Sequence, residues 1–337
     1  MLKNFYTDDP RCLQIADGFL LPNPSHITIT GLFGSAAPFV FAASASHNPN
    51  FNYVVILNEP EDAAYFHNTL ENITGALDIF YFPSSFKIKK NYNLLNPSHV
   101  MLRTEALTKF ASRINSFSGE TAGVRRKIIV TYPEALFEKV VLSKTLSENI
   151  IHIKTSDTLD VGELLLKLDK YGFERSDFVY EPGQFALRGG IVDIYSFGNE
   201  KPYRIELFGN DVDSIRIIDP ETQLSERKLL EVSIIPNVDS QFKTEQRVSL
   251  LDFLPENTAF WIQDKNFCIE RLKDNEDELK YFLEYHYAQS VNSTEVTDTL
   301  LKKAINEQDF ITAFHFDESL KRKYVVHFEK TKGVNVT

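Results

Sequence analysis

The chain has 337 residues, 43% of them hydrophobic and 25% charged, so it holds enough apolar mass for a sizeable buried core and general disorder is excluded. Lys and Arg number 36 against 47 Asp and Glu, a formal charge of −11, which argues against a surface built as a whole to neutralise nucleic-acid phosphates. Only Cys12 and Cys268 occur, no apolar run reaches the ~18 residues that span a bilayer and the N-terminus lacks a signal-peptide core, so a disulfide scaffold, a cysteine zinc site and a membrane role are excluded and a cytoplasmic location is expected.

The first part of the chain alternates strand and helix patterns. His26–Thr30 is a β-branched run ending at Gly31, and Ser35–Ser46 is small and apolar with helical character. Tyr53–Leu57 is a continuous apolar run, the pattern of a strand buried on both faces. Glu59–Ile73 places Ala63, Phe66, Leu70 and Ile73 on one helical stripe. Ile79–Phe82, a helix around Val100–Ile114 and the strand Lys127–Thr131 continue the alternation, which predicts a parallel sheet covered by helices. After Asn149 the pattern changes. Ile150–Ile153 reads as a strand and Leu159–Tyr171 as a leucine-rich helix. Then come four short strands, Gln184–Arg188, Ile191–Tyr195, Tyr203–Phe208 and Val212–Ile218, broken by Gly189-Gly190, Phe197-Gly198-Asn199 and Gly209-Asn210-Asp211. Those breaks are turn residues, so this segment is expected to be an antiparallel meander beside a helix. Mixed signals return beyond Asn237, including the apolar run Thr258–Ile262 and an acidic helix over Ile269–Tyr287. The expected organisation is an α/β domain over 1–148 and 236–337, with a small α+β module inserted at 149–235.

Few residues offer catalytic chemistry. Gly31-Leu32-Phe33-Gly34-Ser35-Ala36-Ala37-Pro38 occupies the place of a phosphate-binding loop between the first strand and helix. A working loop needs a second Gly, a Lys for the β- and γ-phosphates and a Ser or Thr for Mg²⁺. Here those places hold Ala36, Ala37 and Pro38. From the residues alone an ordinary strand-to-helix turn and a degenerate phosphate loop both stay open, and ATP hydrolysis is expected of neither. Asp264 is a lone acid at a strand end, too little for Mg²⁺. The eight histidines lack the helical spacing of metal ligands, and no nucleophile elbow occurs. Three short basic stretches, Lys87–Lys90, Arg125–Lys127 and Lys321–Lys323, are expected to be solvated loops.

The meander carries the sharpest signal. Alternation puts Tyr203, Ile205 and Leu207 on an apolar face and Arg204, Glu206 and Phe208 on the other. In the strand before, Phe185 and Leu187 point inward, leaving Gln184, Ala186 and Arg188 outward. An outward face with Arg188, Arg204, Glu206 and an exposed Phe208 fits a partner surface, since Arg and aromatics dominate interface hot spots. Cross-strand ion pairing on a solvated face fits equally.

Gly172–Asp177, Glu181–Tyr195, Arg204–Gly209, Ser214–Arg216 and Asp219–Gln223 resemble the bacterial transcription-repair coupling factor (Mfd) family. The same module is similar to one in the excision-repair protein UvrB. The match is dense over about 170–235 and looser at the Gly31 turn and at Ile128–Leu136. Two departures favour Mfd over UvrB. The ATP loop has lost its functional residues, and the place of UvrB's aromatic-rich DNA-clamping hairpin holds only Phe82–Lys87. The resemblance implies a UvrB-like N-terminal region: a degenerate P-loop NTPase-like parallel-sheet domain with an inserted UvrA-docking module. It implies Arg175, Arg188, Arg204, Glu206 and Phe208 as the UvrA contacts, Arg175 on resemblance alone. It further implies no catalysis and no cofactor in this chain, with ATP and Mg²⁺ bound only by the motor domains of a much longer ATP-dependent DNA translocase. RNA polymerase and double-stranded DNA are that longer protein's implied partners, and its C-terminal domain is implied to mask the UvrA surface. The rival readings are an ATP-binding enzyme with a divergent loop at Gly31–Pro38 and a nucleic-acid-binding module.

Overall fold

The computed structural model describes residues 6–21, 23–32, 35–75, 78–88, 91–111, 126–237, 246–290 and 305–329. Helix α1 (Pro10–Gly18) precedes strand β1 (His26–Thr30), which turns at Gly31 into α2 (Ala36–His47). Next are β2 (Asn52–Ile56), α3 (Pro60–Thr74), β3 (Ile79–Tyr81), the pair β4 (Phe86–Ile88) and β5 (Asn91–Leu95), and α4 (Pro97–Ala111). They lead to β6 (Ile128–Thr131), α5 (Pro133–Phe137), β7 (Val140–Val141) and α6 (Ser143–Glu148). The middle of the chain holds β8 (Ile151–Lys154), α7 (Val161–Lys170), β9 (Glu174–Arg175), β10 (Gln184–Arg188) and β11 (Ile191–Ile194). It continues with β12 (Tyr203–Phe208), β13 (Asp211–Ile218), β14 (Ser225–Leu229) and β15 (Glu231–Ile234). Then follow β16 (Arg247–Val248), α8 (Leu250–Phe253), β17 (Thr258–Ile262), α9 (Lys265–Ser290), α10 (Ala313–Leu320) and β18 (Tyr324–Glu329).

The first sheet is parallel throughout, in the order β1-β18-β17-β2-β6-β3. Its central strands β2, β6 and β17 are buried at every position, which is why their sequences are unbroken apolar runs instead of alternating ones. The outer strand β1 alternates between exposed and half-buried positions. Phe41 of α2 stands edge-on to both Tyr53 of β2 and Trp261 of β17, knitting the helix layer to the sheet. Strands β17 and β18, late in the chain, lie between β1 and β2, so segments on either side of the middle region complete one sheet.

The second sheet has the order β14-β13-β12-β11-β10-β9, antiparallel except for the short parallel edge pair β9–β10. One of its faces buries Phe185, Val192, Ile205 and Ile215 in the same core as Leu164 and Leu168 of α7. Among the described residues no helix is long and apolar enough to cross a membrane.

Two expectations change. Arg126 and Lys127 are half-buried and not on a solvated loop: Arg126 donates to the Ala45 carbonyl, and Lys127 donates to the Lys109 carbonyl with its ammonium 5.5 Å from the Phe110 ring centre. Arg125 lies outside the described residues. Phe82–Lys87 also leads into a short antiparallel pair, β4 with β5, whose Tyr92 is buried against Phe86, Phe282 and Phe310.

Candidate partner interface

Gly189 and Gly190 form the turn between β10 and β11, and Gly189 has φ +60°. A two-residue turn fixes register, so Arg188 faces Ile191 and Ala186 faces Asp193. Carrying this across the sheet sets Asp193 beside Arg204, Arg204 beside Arg216, and Arg216 beside Lys228. A second row runs Arg188, Ile191, Glu206, Ser214. Directly paired residues share a face, so these rows bring four cations and two carboxylates onto one side of the meander.

The carboxylates organise the cations. Asp193 has no exposed side-chain surface and accepts two bonds of 2.8 Å from Nε and Nη2 of Arg204. It also accepts from Nη2 of Arg188. Arg204, 15% exposed, is raised above the usual guanidinium range, first by its hydrogen bonds to Asp193. Glu206 accepts from Ser214 Oγ at 2.5 Å and from Arg216 Nη2 at 3.1 Å. The guanidinium of Arg188 also lies over the Phe178 ring at 4.7 Å and donates to the Asp177 carbonyl. Charge-assisted, forked bonds of this kind hold both planes of the pair in place.

Two loops lie across this face. Val179 from one loop is buried with Ala186, Tyr195 and Ile218 in a small second core. The other loop is built on Asp219, which accepts from the backbone of Glu221 and Thr222 and from the Thr222 hydroxyl. Those bonds, Thr222's first, hold the Asp219 carboxyl below its ordinary range. Gln223, at φ +60°, ties the loops together: its side chain donates to the carbonyls of Val179 and Pro220, and its own carbonyl accepts from Arg204 at 3.1 Å. A non-glycine residue in that conformation is kept there by its surroundings.

The outward face therefore differs from the expected open one. Ala186 is buried and Gln184 half-buried, because the Val179 loop covers them. The two arginines are internally paired, Arg188 being 33% exposed. Phe208 is 84% exposed and ends β12 at the Gly209-Asn210 turn, opposite Asp211. Arg175 is exposed on β9, in register with Phe185, so it falls outside the rows that carry Arg188 and Arg204. Asp193, Arg216 and Gln223 are the members that alternation missed. Asp193 was legible from the Gly189-Gly190 turn, whose register sets it on the Arg204 row.

Other candidates are weaker. Gly31 has φ +81°, as a glycine-requiring turn should, and Pro38 is buried in the first turn of α2. Phe33 and Gly34 lie outside the described residues. Ser35 Oγ is 3.1 Å from the Tyr65 hydroxyl, and Ala36 and Ala37 are half-buried. At the end of β17, Asp264 accepts from the Phe267 amide as the cap of α9, and Gln263 accepts from the Asn58 amide. Asp252, His315 and Ser319 converge, but both oxygens meet the same Nε2, at 3.1 and 3.5 Å. A catalytic relay needs acid and nucleophile on different ring nitrogens. Among the described residues no three His, Cys, Asp or Glu groups are placed to hold a metal ion.

Comparison with known proteins finds a family match over the segment that includes the meander. Residues 151–239 match the model of the UvrB interaction domain. The chain is 25% identical over 291 residues to the transcription-repair-coupling factor of Bacillus subtilis (strain 168), covering 81% of this chain and 24% of that protein. It is 26% identical over 234 residues to the Staphylococcus haemolyticus (strain JCSC1435) factor, 69% of this chain and 19% of that protein. Against the Staphylococcus aureus (strain bovine RF122 / ET3-1) factor it is 28% identical over 207 residues, 61% of this chain and 16% of that protein. The chain thus spans a quarter or less of the length of these curated relatives. Residues 151–239 are thus similar to the UvrB interaction domain, and most of the chain is similar to part of the transcription-repair coupling factors.

Proposed function

We propose that this chain is a non-catalytic recruitment module that docks UvrA through the charged face of the meander. The observation that carries the reading is a pre-set face within the matched segment: arginines locked on a buried Asp193 beside a bare Phe208. Side chains already fixed lose little freedom on binding, and an exposed aromatic supplies apolar area to bury. Arg175, Arg188, Arg204, Glu206 and Phe208 are the proposed contacts. The proposed division is an α/β domain at 1–148 and 236–337, with the docking module at 149–235. The Gly31–Pro38 turn is read as a degenerate nucleotide loop, because Ala37 and Pro38 supply neither charge nor hydroxyl. In a longer protein the module would couple removal of stalled RNA polymerase on DNA to excision repair. ATP-driven translocation would belong to other domains, and a C-terminal domain would mask this face.

The test is binding of the chain to purified UvrA. Arg188 and Arg204 hold a buried acid, so truncating them perturbs the fold as well as the surface. Phe208→Ala is the cleaner probe: its affinity should fall at least about tenfold, or ~1.4 kcal/mol. Its urea midpoint should stay with the parent's, because the ring is exposed. Failure of the folded parent to bind UvrA would overturn the reading. Micromolar binding of Mg-ATP in calorimetry would contradict the degenerate loop.

A further inference from the structure

The rows of the meander leave a charge imbalance on the β14 side. In one row Arg204 stands opposite Arg216, and Arg216 stands opposite Lys228. Residues directly opposed in antiparallel strands lie about 5 Å apart at Cβ, where like charges destabilise the sheet. Two such contacts in succession are a local conflict, and folded proteins keep such conflicts chiefly at functional sites. Asp193 relieves the first cation of the row, since it is buried and bonded to both Arg188 and Arg204. Arg216 is served less well. Among the described residues it makes one hydrogen bond, from Nη2 to Glu206 at 3.1 Å, and its Nε is buried without a partner. Lys228 is exposed and forms no ion pair among the described residues. Glu226, on the same strand, accepts from Lys201 instead, at 2.5 Å. The row therefore ends on β14, an edge strand, in two neighbouring cations that are under-supplied with negative charge.

We infer that Arg216 and Lys228 receive a carboxylate of the docked partner, an Asp or Glu side chain held between the guanidinium and the ammonium. The inference rests on the proposed docking of UvrA and adds the sign of the partner's surface, acidic where it crosses β13 and β14. Arg216 is half-exposed and Lys228 exposed, so a carboxylate reaches both without opening the fold. Charge-assisted bonds there would both engage the spare donors and separate the opposed cations electrostatically. Charges at such a rim act mainly on the rate of encounter and on the choice of partner. A nucleic-acid phosphate is the other anion of matching chemistry. It is disfavoured because a polyanion would have to approach a chain of formal charge −11.

The experiment compares the affinity of the whole chain for purified UvrA with that of Phe208→Ala, Lys228→Glu, Lys228→Gln and Lys273→Glu. Lys273 is exposed on α9, outside the matched segment, and its reversal changes the net charge by the same amount. Lys228→Glu should weaken binding at least about fivefold, Lys228→Gln by less, and Lys273→Glu by less than about twofold. The urea midpoint of Lys228→Glu should match or exceed the parent's, because a like-charge contact with Arg216 is removed. Raising NaCl from about 50 to about 300 mM should weaken the parent more than Lys228→Glu. If Phe208→Ala weakens binding and Lys228→Glu does not, this inference falls while the docking reading stands. A folded parent that fails to bind UvrA overturns both. Equal losses in Lys228→Glu and Lys273→Glu would reduce the effect to net charge and overturn the inference. So would binding of a short DNA duplex that is tighter than that of UvrA and lost in Lys228→Glu, an outcome that assigns a phosphate partner.

Discussion

Asp193 shows how one side chain sets the behaviour of a surface. Its carboxylate is fully buried, yet it is surrounded by two guanidiniums that reach the exterior. Replacing it with Ala would leave both cations half-buried without their counter-charge, a change that costs ~3–5 kcal/mol when a buried pair is broken. Urea unfolding of Asp193→Ala should show that loss, and UvrA affinity measured on the fraction still folded should fall as well. A midpoint within experimental error of the parent's would mean that the pairs are solvated and worth little. Phe208 behaves in the opposite way, with a predicted effect on binding and none on folding. The difference is physical: one group is enclosed by its partners and the other touches little of its own chain. Strand alternation located Phe208, Arg204 and Glu206 because it reads parity. It missed how far the arginines are enclosed, because their covering comes from loops at 177–183 and 219–224 that fold back over the strands, which parity does not report.

At the level of the element, the loop before β10 depends on Gly183. Its φ is +88°, and a Cβ there would stand 2.3 Å from Cζ of Phe197. The amide of Gly183 meanwhile donates to the Tyr195 carbonyl at 2.7 Å, holding the start of β10 against the end of β11. Gly183→Ala should therefore destabilise the module by ~1–3 kcal/mol from the backbone conformation alone. Thermal unfolding would read the loss, and an unchanged melting temperature would remove the argument. Most elements were visible in the sequence, since β2, β6 and β17 are apolar runs and β10–β13 alternate between glycine turns. Strand β14, Ser225–Leu229, was not, because it is a polar edge strand with four exposed positions and nothing in its own composition marks it. Strand β9 is two residues long and exists only through pairing with β10. Helix α1 also went unread: its start is fixed by Asp9 accepting from the Arg11 amide, a local bond that periodicity does not report.

For the whole molecule the clearest lever is acid. His99 lies with Nδ1 2.8 Å from the Ser84 carbonyl, and burial lowers its pKa below the ordinary 6.5. His327 is lowered too, by burial first and then by His26 and Lys265. A lowered folded-state value means that the unfolded chain takes up protons the folded one resists. The contribution of these groups is thus complete above about pH 6.5 and is lost as the pH falls from there through the folded values. Denaturant midpoints should decline between pH 7.5 and 5.5, and His99→Gln should flatten part of that slope. A profile independent of pH over this range, in parent and variant alike, would contradict it. Carboxylates such as Asp317, lowered by Lys265, act in the same direction only at lower pH.

The strand order β1-β18-β17-β2 also has a consequence for how the chain is made. During synthesis β1 and β2 leave the ribosome long before β17 and β18, which must later slide between them. The meander pairs only neighbours in sequence, so its contacts are local and can form early. Until residue 329 has emerged, the N-terminal strands expose ready-made edges to any passing chain, a hazard for aggregation. The face proposed to meet a partner can thus form before the parallel sheet has closed.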